Sequence, residues 1–174
     1  NDELFCSPKH LIIISSPKHL TQYHKIKTAT ICSSVTKIGD SDFKECSSLT
    51  QVSFEIPYSI TKIENNAFNG CLSLTQISIP SSVTQIGNSA FGECSSLTQI
   101  SIPSSVTKIG NSAFNGCSSL TQISFEIPSS VTQIGNYAFE GCSSLTQILI
   151  PSSVNRIGNY AFSKCSSLTQ ISIP

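Results

Sequence analysis

Four side chains that could bind a zinc ion lie near the amino-terminal end of this chain. Cys6, His10, His19 and His24 follow one another as Cys-x3-His-x8-His-x4-His, and cysteine and histidine are the ligands that structural zinc prefers. The spacing matches no established zinc motif, however. His10 and His19 also fall in a duplicated Ser-Pro-Lys-His-Leu string, so duplication alone explains them. We therefore predict no metal site and no cofactor.

The remainder of the chain offers no set of residues suited to catalysis. No histidine follows His24, so the later part has no imidazole to act as a general base. Carboxylates such as Glu45, Glu93 and Glu140 are scattered at variable positions that we expect to face outward. The Gly-Asn and Asn-Gly pairs are typical of turns and lack the context of a phosphate-binding loop. These residues predict a protein that is not an enzyme.

The amino-acid composition indicates which kinds of partner the chain is not suited to bind. Charged residues make up 11% of the 174 residues and the net charge is zero, which does not favour nucleic acid as a partner. The longest apolar run, Leu11 to Ile14, is far shorter than the ~18 residues that suggest a membrane span. No signal peptide is recognisable, and no Met is present. We expect a fragment or a processed chain, truncated at its carboxyl end.

A repeat organises most of the sequence. Its clearest marker is a cysteine that recurs at intervals of 25, 23, 23, 25 and 23 residues: Cys46, Cys71, Cys94, Cys117, Cys142 and Cys165. Six such units cover 31–174. Residues 1–30 are predicted to be a degenerate amino-terminal cap or decayed repeat, in which Leu20 and Tyr23 take the Phe and Cys positions. Terminal repeats are expected to be atypical because they cap the stack.

Each unit predicts one coil of a solenoid. Leu97, Ile100 and Ile102 fit the Leu-x-x-Leu-x-Leu strand of a leucine-rich repeat, and Pro103 ends this strand because it cannot donate to a ladder. A second short strand is predicted around Ile109, and one helical turn is predicted from Ala113 to Cys117. The fold class is therefore a β-dominated α/β leucine-rich-repeat solenoid, shaped as a horseshoe, with parallel strands on its concave face and short strands and single helical turns opposite.

The two 25-residue intervals each contain an inserted Phe-Glu pair, Phe54-Glu55 and Phe125-Glu126. Strand side chains alternate faces with a period of two. A two-residue insertion is therefore predicted to point the Phe inward and the Glu outward, and to leave the following Ile on its inward face.

The landmarks of the repeat resemble the BspA-like leucine-rich-repeat family. They occur in the order Ile-Pro, Val-x-x-Ile-Gly, Ala-Phe and Cys in most of the units of 31–174, and Cys32 replaces Pro and Asp42 replaces Ala in the first. The resemblance implies a surface or secreted protein of the kind found in host-associated bacteria and parasitic protists. It also implies adhesion to host extracellular components and identifies no ligand.

The outward positions of the predicted concave strands form the first candidate binding site. They are nearly uniform from coil to coil, which suits a repeating ligand such as a glycan, or weak contacts summed by avidity. The candidate residues are Gln51, Gln76, Gln99, Ser101, Gln122, Ser124, Gln147, Leu149 and Gln170. A Thr column borders them (Thr50, Thr75, Thr98, Thr121, Thr146 and Thr169). The alternatives are that these polar residues only keep the sheet soluble, or that the Thr column binds ice.

A second candidate site is a basic column between the Val and Ile of each unit. Its cations are Lys37, Lys62, Lys108 and Arg156, which are expected about 4.8 Å apart per coil. Such a row could attract a polyanion such as a sulfated glycan. The alternative is that the charges keep an edge strand soluble and unpaired.

The cysteines allow two interpretations. Stacked coils bring equivalent cysteines within the separation that a disulfide allows, but free cysteine also behaves as a small buried hydrophobic residue. We predict a column of reduced, buried thiols, whereas Cys6 and Cys32 lie outside the column and are free to pair.

Two functions are compatible with these features. The first is a non-catalytic binding or adhesion domain that presents its Thr, Gln and Ser face to a protein or glycan ligand at a cell surface. The second is a passive spacer or scaffold for a domain outside this sequence.

Overall fold

The computed structural model of the protein describes residues 5–7, 10–13 and 25–173. Successive coils stack into a β-solenoid, and each complete coil contributes one strand to each of two faces. The strands of the first face are β1 (Phe5–Ser7), β2 (His10–Ile13), β3 (Thr28–Ile31), β5 (Gln51–Phe54), β7 (Gln76–Ile77), β9 (Gln99–Ile102), β11 (Gln122–Phe125), β13 (Gln147–Leu149) and β15 (Gln170–Ser172). Those of the second face are β4 (Lys37–Ile38), β6 (Lys62–Ile63), β8 (Gln85–Ile86), β10 (Lys108–Ile109), β12 (Gln133–Ile134) and β14 (Arg156–Ile157).

The second face is one continuous sheet of six parallel strands in the order β14-β12-β10-β8-β6-β4. On the first face, β2, β3, β5 and β7 pair in parallel, and β1 pairs with β2 in the antiparallel direction. Two further parallel pairs, β9 with β11 and β13 with β15, complete it. The first sheet is thus interrupted twice, between β7 and β9 and between β11 and β13.

The core is built from columns of identical side chains, as the repeat predicts. In the coil around Leu120, the side chains of Val106, Ala113, Phe114 and Cys117 are all fully buried with Leu120. The Phe rings stack from coil to coil with centroids 5.0–5.5 Å apart, through Phe43, Phe68, Phe91, Phe114, Phe139 and Phe162. Stacking therefore buries faces that a single coil would leave in water.

The predicted helical turns are wrong. In the described coils the segment from Ala113 to Cys117 and its equivalents form successive turns without a helix. The backbone N–H of Phe114 donates to Ala138 O in the next coil at 2.8 Å, so it is not available to a helix of its own coil. Ser112 and Gly116, with φ of 53° and 73°, also interrupt any right-handed helix. The horseshoe curvature stays a prediction.

The prediction for the two insertions is correct for the Phe-Glu pair and wrong for the isoleucine after it. Phe125 takes the place of Ile102 in the ladder and is partly buried against the core, whereas Glu126 is exposed. Ile127 is 85% exposed and its counterpart Ile56 is 75% exposed. The strand ends at the Phe, so alternation no longer governs the next residues, and the Glu-Ile pair forms an outward loop.

Several predictions concern residues outside the described part of the chain. His19, His24, Leu20 and Tyr23 are among these, as are the side chains of Cys6 and His10. The zinc arrangement and a Cys6–Cys32 pair therefore stay untested, and so does the division at residue 30.

Candidate functional site

The candidate residues on the first sheet form one exposed face, called here the Gln face. Its glutamines, Gln51, Gln76, Gln99, Gln122, Gln147 and Gln170, are all exposed. They lie in register where strands pair: Gln51 with Gln76, Gln99 with Gln122, and Gln147 with Gln170. Ser101 and Ser124 are also exposed and pair in the same way.

Strand alternation positions these side chains. Between Gln99 and Ser101, Ile100 is 2% exposed and points into the core. Ile102 is also buried, at 1%, so every second residue is fixed inward and its neighbours must face out. The repeat thereby presents nearly the same amide and hydroxyl groups in each coil.

The Thr column beside the Gln face is largely committed to the backbone. The Oγ1 of Thr121 donates to Thr98 O at 3.0 Å, and that of Thr98 donates to Thr75 O at 3.2 Å. Thr50 and Thr169 make equivalent bonds to the preceding coil. These hydroxyl protons are therefore not available to a ligand, which leaves the Gln amides as the main donors.

Two depressions lie on the Gln face where the sheet is interrupted. The first, of about 330 Å³, spans the break between β7 and β9 and is lined by Gln76, Ser78, Gln99, Ser101, Gln122, Ser124 and Glu126 among others. The second, of about 440 Å³, spans the break between β11 and β13 and is lined by Gln122, Gln147, Leu149, Gln170 and Ser172 among others. The structure thus brings eight of the nine predicted Gln-face residues into these depressions; Gln51 lies outside both.

Leu149 gives the second depression an apolar contact. Its side chain is 58% exposed, at the position where Ser101 and Ser124 stand in earlier coils. Leu149 follows Gln147 on β13 and pairs with Ser172 on β15. This exposed leucine distinguishes the second depression from the first.

The basic column follows the outer face of the second sheet. Lys37, Lys62, Lys108 and Arg156 are all exposed. The ladder register continues from Lys37 to Lys62, Gln85, Lys108, Gln133 and Arg156. The structure therefore aligns all four predicted cations in one row, on the opposite sheet from the Gln face.

A shallow groove of about 120 Å³ lies beside part of this row. It is lined by Lys62, Gln85 and Lys108 on the strands and by Glu64, Asn65 and Asn88 in the adjoining turns, together with Gly87 and Gly110. Amide, ammonium and carboxylate groups thus share one surface.

An asparagine ladder, which the sequence analysis assigned only to turns, fixes these turns. Asn111 Oδ1 accepts the backbone N–H of Asn136 at 2.9 Å, and Asn88 Oδ1 accepts that of Asn111 at 2.8 Å. Asp40 begins the same column by accepting the N–H of Asn65 at 3.0 Å. The sequence feature that could have predicted this ladder is the Asn that recurs at the same position of successive units, because a hydrogen bond repeated in every coil needs the same acceptor each time.

The repeat cysteines form the predicted column of free thiols, which is buried from Cys46 to Cys142 and half-buried at Cys165. Cys117 Sγ donates to Phe91 O at 3.1 Å, and Cys71, Cys94, Cys142 and Cys165 donate in the same way to the Phe of an earlier coil. Burial raises the pKa of Cys46 and of Cys94 to about 12. Because the thiolate is the reactive form, these thiols are not suited to nucleophilic chemistry.

Two exposed tyrosines were missed by sequence reasoning. The rings of Tyr137 and Tyr160 stack with centroids 5.3 Å apart, and both residues have φ of 57°. Ser89 and Asn66 hold equivalent positions at positive φ in other coils. A bulky residue is uncommon at positive φ. The stacking of the two rings is the contact that the structure shows for these tyrosines.

Within residues 25–173 no cluster of three or more metal-ligating side chains is present. The part of the chain that the structure describes also contains no helix that is long and apolar enough to cross a bilayer.

Comparisons with known proteins agree with this architecture. Residues 16–127 and 122–174 match the family described as the BspA type leucine rich repeat region, in six copies. No sequence among curated proteins matches the chain. A leucine-rich-repeat protein from Bacteroides ovatus is 30% identical with a TM-score of 0.83, over 99% of this chain and 47% of its own.

Two further solved structures are similar. A leucine-rich cell surface protein from Faecalibacterium prausnitzii is 34% identical with a TM-score of 0.81, over 95% of this chain and 47% of its own. The leucine-rich-repeat protein of T. pallidum is 25% identical with a TM-score of 0.74, over 97% of this chain and 88% of its own. The chain therefore spans about half the length of the Bacteroides and Faecalibacterium proteins.

Proposed function

We propose that this chain, which belongs to the BspA-type leucine-rich-repeat family, is a non-catalytic binding module that holds an extended protein or glycan ligand against its Gln face. The observation that carries the proposal is the alignment of exposed glutamines across two depressions. Each amide offers donors and an acceptor, and successive coils repeat them about every 4.8 Å.

The lining of the depressions indicates how such a ligand is held. Few aromatic or arginine anchors of the kind that dominate compact protein interfaces are present. Many weak polar contacts along a repeating ligand would instead add up through avidity. The exposed Leu149 supplements these contacts at one end of the Gln face.

A place at the cell surface is part of the same proposal. The similar protein from Faecalibacterium prausnitzii is described as a cell surface protein. A host extracellular component is then a suitable ligand for this chain.

A spacer is the second candidate. The stacked Phe rings and the continuous six-stranded sheet favour it, because both run through the stack and stiffen it along its axis. A spacer would need no ligand on the Gln face.

The test is a glycan and extracellular-matrix array probed with the purified chain at two salt concentrations, followed by variants. Gln99→Glu with Gln122→Glu places two charges in the first depression, and we expect it to abolish binding to the Gln-face ligand. Gln85→Glu with Gln133→Glu also adds two carboxylates, on the second sheet and on either side of Lys108, and serves as the control for added charge. Because Gln99 and Gln122 are directly opposite each other, the thermal unfolding of both double variants is measured to confirm that each is folded.

A ligand that is lost with the first pair and retained with the second supports the proposal. A ligand that responds only to the second pair belongs to the second sheet. Absence of any ligand on the array would contradict the binding module and favour the spacer.

A further inference from the structure

We propose that the outer face of the second sheet is a separate binding surface for a sulfated polysaccharide, which lies along the row Lys62, Gln85, Lys108, Gln133 and Arg156. This surface is on the opposite sheet from the Gln face and does not depend on the function proposed for it. Lys37 extends the row by one coil beyond Lys62.

Among the residues that the structure describes, the cations of this row have no carboxylate partner, unlike Lys44 and Lys164. Lys164 Nζ lies 2.9 Å from Glu140 Oε1, and Lys44 Nζ lies 3.9 Å from Glu45 Oε1. Across residues 25–173, no carboxylate lies within 4.0 Å of the basic groups of Lys37, Lys62, Lys108 or Arg156. Their charge is therefore available to an external anion.

One pair at the end of this column costs stability that a purely structural role would avoid. Lys37 and Lys62 lie directly opposite each other in the ladder, and like charges in that relation are destabilising. The alternative, that the charges keep an edge strand soluble and unpaired, accounts only for charges on the edge strands of a sheet. Lys62 and Lys108 lie on β6 and β10, which are hydrogen-bonded on both sides.

The order of cations and amides along the row indicates the repeat length of the polymer that fits it. From Lys62 to Arg156, cation and amide alternate coil by coil. Positive charges therefore recur about every 9.6 Å, twice the strand spacing. This is close to the length of one disaccharide in an extended 1→4-linked chain, the unit that sulfated polysaccharides repeat. Each strand of a nucleic acid duplex, by contrast, carries a charge about every 3.4 Å, which does not match this spacing.

The groups between the cations suit a sugar. Gln85 and Asn88 line the groove beside Lys62 and Lys108, and their amides can hydrogen-bond hydroxyl groups. Glu64 lines the same groove. Its carboxylate repels a sulfate, so it sets a limit on affinity at this end of the row.

The test uses a size-defined heparin oligosaccharide as the probe, with binding to the whole chain measured over a range of salt concentrations. The variant Lys62→Gln, Lys108→Gln and Arg156→Gln gives these coils the residue that Gln85 and Gln133 already have, so the fold should persist. We expect roughly a tenfold or greater loss of affinity and a much shallower salt dependence, because fewer counterions are released.

A control removes two positive charges elsewhere, through Lys44→Gln with Lys164→Gln, and should bind heparin as the unaltered chain does; the double variant Lys62→Gln with Lys108→Gln removes the same number from the row and should bind more weakly. Glu64→Gln should bind more tightly. Equal affinity of the triple variant and the unaltered chain would overturn the proposal. So would unchanged binding to desulfated heparin, or tighter binding to single-stranded DNA of the same charge than to heparin.

Discussion

The thiol of Cys117 donates a hydrogen bond across coils to the carbonyl oxygen of Phe91, at 3.1 Å. The same bond recurs at Cys71, Cys94, Cys142 and Cys165, so in these units the recurring cysteine is a structural donor rather than half of a disulfide. The bond thus links the side chain of the cysteine to the backbone of the Phe one coil earlier.

Stability should fall in alkaline solution because of this column. Burial raises the pKa of Cys94 from its ordinary value of 9.0 to about 12, and that of Cys46 likewise. Below pH 9 the thiols are protonated in both states. Above it, the unfolded chain loses protons that the folded chain keeps, so the free energy of unfolding decreases by about 1.4 kcal/mol per pH unit for each such thiol.

Urea unfolding between about pH 8 and pH 11 measures this slope. Cys94→Ala should unfold with a shallower pH dependence, since it has one fewer buried thiol. A free energy of unfolding that stays constant up to pH 11 would contradict the burial of these groups.

Gly110 should not tolerate a side chain. A Cβ at this position would lie 2.5 Å from the carbonyl carbon of Gly87 in the preceding coil. Gly110→Ala must therefore push two coils apart, and we expect it to lower the free energy of unfolding by about 3 kcal/mol.

Gly141→Ala is the control. Its φ is +74° and the nearest atoms lie 3.6 Å away, so it meets only the cost of a left-handed conformation, about 1 kcal/mol. Chemical denaturation of the two variants should rank them in this order, and equal losses would argue against the close coil contact.

The asparagine ladder should be sensitive to the loss of its acceptor. Asn111→Ala leaves the backbone N–H of Asn136 without its protein partner, which we expect to cost about 0.5–1.5 kcal/mol because the bond is exposed to water. Asn111→Asp keeps an oxygen in place, as Asp40 does for Asn65, and should cost less. Amide hydrogen exchange at Asn136 reports the bond directly, and slow exchange in the Ala variant would show that the ladder is not needed there.

Two isoleucines that each precede a proline should respond oppositely to truncation. Ile150 is 0% exposed and Ile127 is 85% exposed. Ile150→Ala should cost about 2–5 kcal/mol, whereas Ile127→Ala should change stability by less than about 0.5 kcal/mol. Thermal unfolding distinguishes them, and a large loss at Ile127 would mean that the insertion packs inward after all.

The repeat period was sufficient to predict the inward columns, because an apolar residue that recurs in every coil, such as Leu120 or Phe114, is buried when the coils stack. It wrongly predicted a helical turn from Ala113 to Cys117, because in this segment alternate N–H groups bond to the next coil. Such bonds leave no pattern within one unit. Sequence alternation also failed at Ile127, since it applies only while the strand continues.

The candidate sites follow the same division. Outward glutamines and the basic row could be placed by register alone, and the structure aligns them. The depressions could not be predicted in this way. They arise where β7 and β9, and β11 and β13, are not paired, although these strands carry residues much like those of paired strands.

The unequal continuity of the two sheets has a mechanical consequence. The second sheet is hydrogen-bonded without a break from β4 to β14, whereas the first consists of three separate pieces. Under a bending load the continuous sheet acts as the spine, and the least resistance lies at the two breaks. Flexing should therefore widen or narrow the same two depressions that contain the glutamines.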